Sequence, residues 1–359
     1  MFGLFEKDKI NGFGLDIEET LVKVVQLSSA SGKISVAGLA KSDLPEQIIA
    51  NHAIINPDKL SAYIRKTMQE AKITTPYVVV SIPEAKSFVR QIHLPQMEEK
   101  QIETAVPFEF EQNIPVPIDQ IYFDWQILTQ SDAGYELLVT ATPRDYVDSL
   151  IDVLSRTKLK PIAFELESQS SARALLSEKN AGEADLVIDI SELQTSFLLV
   201  EKNNLQYTSS VPIGGRSFTE SISRNLGIPL PEAEAAKREQ GLVADSKKRN
   251  IRQAILPILD NIVDEIRNVI RFYDEHYKSH LPLKQVLIVG GGAKLMGLSD
   301  YVSARLNLGS VHEQSLVTLG DSLNHLTPGP TLAKVDGLTY CTAIGLGLRA
   351  LGFKIDLEM

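Results

Sequence analysis

The chain has 359 residues, of which 43% are hydrophobic and 23% charged, with a formal net charge of −10 and a pI of about 5.2. This is an ordinary globular balance for a chain long enough to form two domains, and it lacks the basic excess that a nucleic-acid binder uses against phosphates. The single cysteine, Cys341, excludes an intrachain disulfide, and with no run of ~18 apolar residues to span a bilayer and no apolar signal core after Met1, a cytoplasmic protein without transmembrane insertion is expected.

Residues 12–40 read as strands around an acidic turn. Gly14-Leu15-Asp16-Ile17-Glu18-Glu19-Thr20 opens the alternating run Leu21-Val22-Lys23-Val24-Val25, and Ser31-Gly32-Lys33 suits a hairpin tip. Residues 56–72 read as a helix through Leu60, Ile64, Met68 and Ala71, with Pro57 in its first turn. The rhythm then changes. Strands at 77–82 and 88–94, a helix at 97–112, strands at 121–128 and 136–142 and an amphipathic helix at 144–156 indicate an α+β module. Residues 84–158 are therefore expected as an insert in a first lobe formed by 1–83 and 159–182. A strand at 161–165 and a helix at 167–178 complete that lobe, and 179–183 is a connector.

The remainder, 183–359, is expected to form a second lobe. Leu186-Val187-Ile188-Asp189-Ile190-Ser191-Glu192 leads into Thr195-Ser196-Phe197, so the strand–acidic turn–strand pattern recurs about one domain length downstream. Strands over 186–213 end at Gly214-Gly215-Arg216. A helical region at about 217–282 follows, with helices at 217–226, 232–240 and 249–277. Pro257 must sit near the first turn of the last of these or kink it. The strand 285–289 ends at Gly290-Gly291-Gly292, and 293–296 and 299–305 read as helical.

Repetition of the acidic turn suggests two related lobes, each offering one carboxylate to a shared cleft. That chemistry suits a Mg-nucleotide, because Mg²⁺ keeps most of its waters and takes one or two carboxylates beside phosphates. Glycines at 290–292 and 214–215 permit close backbone approach to a ligand, although each cluster equally suits a plain tight turn. Glu234 and Lys237 share a helix face, fitting either a ribose and base or a solvated ion pair. His276 and His280 lie four apart, but with no third ligand nearby they read as a surface helix end.

Taken together these residues resemble the actin, heat-shock chaperone and sugar-kinase ATPase superfamily. Its signatures occur in order as a first phosphate turn (16–20), a connecting segment (79–83), a second phosphate turn (189–195), an adenosine loop (289–292) and a second connecting helix (343–348). Within it, the whole chain resembles the PilM family of type IV pilus assembly. The marks are Met1-Phe-Gly-Leu-Phe, Glu103, Glu109 and Ile114-Pro115, Pro212-Ile-Gly-Gly215, Ala233-Glu234 with Lys237, Glu265-Ile-Arg267, and Gly345-Leu-Gly-Leu-Arg349.

The resemblance implies an α/β, two-lobed actin-like ATPase fold with an inserted α+β subdomain like that of the division protein FtsA. It implies ATP and Mg²⁺, with Asp16 and Asp189 orienting the metal through its waters and Thr20 and Thr195 bonding phosphate oxygens. Lys23, Gly214 and Gly215 join the nucleotide set. Glu234 and Lys237 would address ribose and adenine, and Gly290, Gly291 and Gly292 would lie against the nucleoside. It also implies a peripheral place at the inner face of the cytoplasmic membrane, among other pilus assembly proteins, with the cytoplasmic N-terminal tail of a PilN-like membrane protein as partner.

One departure stands out. The family pattern has Gly where this chain has Glu18 and Ser191, and Ser where it has Glu19. Extra carboxylates near a triphosphate repel it, so weakened binding, and at most slow ATP hydrolysis, is expected. Two alternatives remain at this point, a small-molecule kinase of the same superfamily and an FtsA-like filament protein tethered to membrane. The short acidic tail 352–359 suits the latter poorly.

Overall fold

The computed structural model describes residues 11–176, 183–201, 204–243, 251–276, 281–306, 316–329 and 332–352. They divide into two units, one comprising Met1–Ser177, Ser322–Val335 and Tyr340–Met359, the other Glu178–Asp321 and Asp336–Thr339.

In the first unit the alternating residues after Asn11 form β1 (Phe13–Ile17) and β2 (Leu21–Ala30), antiparallel, with Asp16 opposite Lys23. β3 (Lys33–Asp43) extends the meander. A short hairpin, β4 (Ile49–Ala50) and β5 (Ala53–Ile54), precedes α1 (Pro57–Glu70). The Asn56 side chain caps α1 by accepting from the Lys59 N–H at 3.0 Å, which satisfies one of the first-turn donors a helix leaves open. β6 (Tyr77–Ile82) runs parallel to β1.

Next come β7 (Phe88–Leu94), α2 (Glu99–Glu111), β8 (Ile121–Ser131) and β9 (Gly134–Pro143). They form a separate antiparallel sheet of order β7-β9-β8, closed by α2 through Ile102, Val106 and Phe110. α3 (Arg144–Arg156) falls in the stretch 84–158 read as an insert, yet it packs on α1. Ser61 Oγ donates to the Val153 carbonyl at 3.3 Å and Arg156 pairs with Asp58 at 2.6 Å. The amphipathic face of α3 identified it as a helix, but not which partner that face would choose.

β10 (Lys160–Leu166) is parallel to β6, completing the order β10-β6-β1-β2-β3, and leads into α4 (Glu167–Leu175).

The second unit repeats this topology. β11 (Ala184–Ile190), β12 (Thr195–Glu201) and β13 (Asn204–Val211) form an antiparallel meander. After α5 (Gly215–Leu226), α6 (Leu230–Gln240) and α7 (Ile251–His276), the strand β14 (Leu283–Val289) pairs parallel with β11. α8 (Leu298–Arg305) and β15 (Leu316–Leu319) complete the sheet order β13-β12-β11-β14-β15. Ile255, Leu259, Ile262 and Ile266 of α7 join Leu186, Ile188 and Phe197 in one buried core, so the apolar face of this helix is packing surface. Pro257 lies inside this helix, beyond the first turn of its described part, where it has no N–H to give to the carbonyl four residues back.

The last helix departs from the linear division of the sequence. α9 (Cys341–Ala350) follows the second lobe in the chain but belongs to the first unit, against β1, β2, β6 and α4. Thr342 and Ser171 share a hydroxyl hydrogen bond of 3.1 Å, and Arg349 donates to Glu165 at 2.8 Å. Thus 183–359 is not one lobe. The apolar, glycine-bearing face of α9 is buried where α4 leaves room for it.

Candidate functional site

The first acidic turn sits at the end of β1. Asp16 and Lys23 face each other across the hairpin, 1% and 3% exposed, with a 2.9 Å ion pair. The Lys23 ammonium also pairs with the Glu18 carboxylate. Burial alone would lower the Lys23 pKa, but Asp16 and Glu18 outweigh it and hold the amine protonated above its usual range. Asp16 Oδ1 is buried with no hydrogen-bond partner, unusual for an atom removed from water.

The Glu18 N–H donates to the Leu21 carbonyl at 2.9 Å, closing the turn. Glu19 accepts from the His52 N–H at 2.5 Å. Thr20, half-buried, accepts through its carbonyl from the Leu44 N–H at 2.8 Å. Below the turn, Ser81 Oγ accepts from the Ile17 N–H at 3.1 Å, and the buried Glu84 carboxylate accepts from the Ser168 N–H at the start of α4 at 3.0 Å. Ser81, Glu84 and His52 were not read as site residues, because nothing in their local sequence ties them to a turn more than thirty positions away.

In the second unit the candidate residues gather from several elements. The turn after β11 is closed by the Ser191 N–H donating to the Gln194 carbonyl at 2.9 Å. The start of α5 docks on it, with the Gly215 N–H donating to the Ser191 carbonyl and the Arg216 N–H to the Glu192 carbonyl, each at 2.8 Å. Lys237 on α6 donates to the Gly215 carbonyl at 2.9 Å and to Thr219 Oγ1 at 2.8 Å, and pairs with Glu234 at 2.6 Å. Thr219 Oγ1 also donates to Glu234 at 2.5 Å, and Arg238 adds a 2.6 Å bond.

Burial would raise the Glu234 pKa, but the hydrogen bonds from Lys237, Thr219 and Arg238 bring it down to about 2. Glu234 and Lys237 are therefore not a freely solvated pair. They brace α6 to the glycine-led start of α5. Thr219 was missed in the sequence, where its only signal is a position four after Gly215, one helical turn along.

Asp189, half-buried, stands at the end of β11 in register with Val289 on β14, which brings the triple glycine beside it. Gly290 adopts φ +85°, and its N–H donates to the Leu338 carbonyl at 3.0 Å. A side chain there would collide with Asp189 Oδ1 and the Ile190 carbonyl, whereas one at Gly291 would meet open space. Gly291–Lys294 forms a single 3₁₀ turn rather than an α-helical start. Lys294 pairs with Asp336, which accepts from Thr339 Oγ1 at 2.8 Å. Thr195 is wholly buried and its hydroxyl donates to the Ile213 carbonyl at 2.6 Å, so it ties β12 to the strand end before α5. His280 lies outside the described residues, and among the described residues no group of three His, Cys, Asp or Glu side chains could hold a metal. A metal that keeps its waters does not need such a group.

Gly214–Gly215, Thr219, Glu234 and Lys237 thus form one cluster, and Asp189 with Gly290–Gly292 another, within a single unit. A glycine loop with open space at Gly291 and a carboxylate beside it are groups that can take a nucleoside and a hydrated cation, whereas the N–H groups at the start of α5 are spent on Ser217, Ser191, Glu192 and Gly214.

A family model described as type IV pilus assembly protein PilM matches residues 14–351. The curated FtsA of Neisseria meningitidis serogroup B is 26% identical over 184 residues, covering 45% of this chain and 44% of that protein, so the chain spans less than half the length of that relative. Among solved structures, a PilM–PilN type IV pilus biogenesis complex superposes with a TM-score of 0.81 at 24% identity, covering 96% of this chain and 99% of the other. MreB5 of Spiroplasma citri bound to ADP gives a TM-score of 0.53 at 11% identity, covering 93% and 94%. The fold is that of the actin-like ATPases, as the sequence led one to expect.

Proposed function

The chain belongs to the PilM family of type IV pilus assembly proteins, and on that premise we propose that it is an actin-like adaptor that binds an adenine nucleotide and the cytoplasmic N-terminal tail of a PilN-like membrane protein. The similarity over nearly the whole chain to a PilM–PilN complex supports the partner, and the fold shared with an ADP-bound MreB5 supports the nucleotide. No helix among the described residues is long and apolar enough to cross a membrane. The adaptor would therefore reach the inner face of the cytoplasmic membrane through its partner, beside other pilus assembly proteins.

The observation that carries the nucleotide reading is the second-unit cluster. Glu234 and Lys237 lie one helix from Gly214–Gly215 at the start of α5, placed to receive ribose and base, and Gly291 provides open space in the glycine loop Gly290–Gly292 beside Asp189. Asp189 in this unit and Asp16 in the other each fit hydrogen bonding to a metal-bound water, Asp16 through its unpartnered Oδ1. Bound Mg²⁺ would supply charge neutralisation for the phosphates. Thr195 serves the fold through Ile213, and Thr20 remains the phosphate donor proposed for the first turn. The role is binding, with hydrolysis at most slow.

Calorimetric titration of the purified chain with Mg-ADP and Mg-ATP, and with a synthetic N-terminal peptide of the PilN-type protein of the same genome, tests both halves. Saturable binding of nucleotide and peptide is expected. Absence of peptide binding with and without nucleotide would overturn the adaptor role.

A further inference from the structure

The first acidic turn supplies an anion to its own lysine. Asp16 is the register partner of Lys23 across the hairpin, and their ion pair needs nothing else from the turn. The turn nevertheless folds so that the Glu18 carboxylate also reaches the Lys23 ammonium, with the Glu18 N–H locked to Leu21. Lys23 is only 3% exposed and Glu18 20%, so Glu18 covers the cation from the solvent side.

Two carboxylates, Asp16 and Glu18, then share one ammonium, and Glu19 next in the turn is held by the His52 N–H. His52, which holds Glu19 through its backbone, adds no cation near neutrality, because burial depresses its imidazole pKa below the ordinary value. A phosphate approaching this turn meets a cation already neutralised and a surplus of negative charge, in a part-buried place where screening is weak. Every further phosphate on the ligand sharpens that conflict.

We propose that Glu18 is a built-in occupant of the anion position at Lys23, and that it makes the first turn discriminate against nucleoside triphosphates in favour of nucleotides with fewer phosphates. The inference rests on the nucleotide-binding reading above and adds the residue that sets which nucleotide is held. Glu18 acts here as a specificity residue, by competing with the ligand for a lysine that the fold needs in any case to neutralise Asp16.

The test compares the wild type with Glu18→Gln, which keeps shape and removes charge, Glu18→Gly, which removes the side chain, and Glu70→Gln, an equal charge change in the surface pair with Lys66. Dissociation constants for Mg-ADP and Mg-ATP are measured by calorimetry on the full chain, with circular dichroism to confirm folding. In the wild type ADP is expected to bind at least as tightly as ATP. In Glu18→Gln and Glu18→Gly the ratio of ATP to ADP affinity should rise by about tenfold, equivalent to ~1.4 kcal/mol, with Glu70→Gln unchanged. If ADP binds and both Glu18 variants leave the ratio unmoved, the inference falls while the nucleotide reading stands. If neither nucleotide binds any variant, both fall together.

Discussion

Gly290 holds its left-handed backbone directly against the carboxylate of Asp189, leaving no volume for a side chain between them. β11 and β14 run in register to this point, so the glycine loop and the acidic turn are fixed by one sheet. Gly290→Ala should therefore strain the loop and displace Asp189, at a cost of ~1–3 kcal/mol. Gly291→Ala, with open space beside it, should be near neutral. Thermal unfolding of the two variants checks this, and equal melting temperatures would refute it.

The Glu234 carboxyl predicts an acid-sensitive step. Its pKa is depressed to about 2 from an ordinary value of 4.5. A depressed acid stabilises the fold above its unfolded pKa, and that contribution fades as pH falls from about 4.5 towards 2. Glu234→Gln should flatten this part of the stability profile while leaving the region above pH 5 parallel to wild type. Denaturant midpoints across that window provide the measurement.

α9 stays in the first unit because Gly345 lets it touch α4. A Cβ at Gly345 would run into the backbone carbonyl of Ser170. Gly345→Ala should cost ~1–3 kcal/mol by overpacking, seen as a lower melting temperature. Gly329→Ala, where nothing lies within 4 Å, is the control, and a loss in the control as large as in Gly345→Ala would discount the packing argument.

Glu165 is fully buried between two arginines, accepting from both guanidinium nitrogens of Arg173 at 2.6 Å and from Arg349 at 2.8 Å. Burial would raise its pKa, and the two cations with the Ser170 hydroxyl bring it below the usual value. Arg173→Met strips the buried partner and should cost ~3–5 kcal/mol. Arg349→Met should cost less, since Arg349 is 27% exposed against 3% for Arg173. Chemical unfolding that ranked them in the opposite order would contradict this account of the triad.

Much of the architecture was legible because half-buried strands and amphipathic helices print their periods on the chain. The run from Leu21 to Val25, the face of α7 and the glycines after Val289 each mark an element within a few residues. The recurrence of Asp-Ile-x-Glu identified both hairpin turns, and the structure shows one sheet topology built twice around them. The partners of the turn residues were not legible. His52 meeting Glu19, Thr219 joining Glu234 and Lys237, and Thr195 spending its hydroxyl on Ile213 are contacts across 15 to 33 positions. No local pattern encodes them.

The sequence alone determined the repeated strand–turn–strand units, the family and the charge placed at each turn, because periodicity, spacing and residue identity are local properties. Only the tertiary structure decided that Glu18 closes over Lys23, that α3 rests on α1, and that the final helix returns to the first sheet. Those outcomes depend on which buried surfaces fit together in space, and an apolar face or a carboxylate carries no mark of the distant group it will meet.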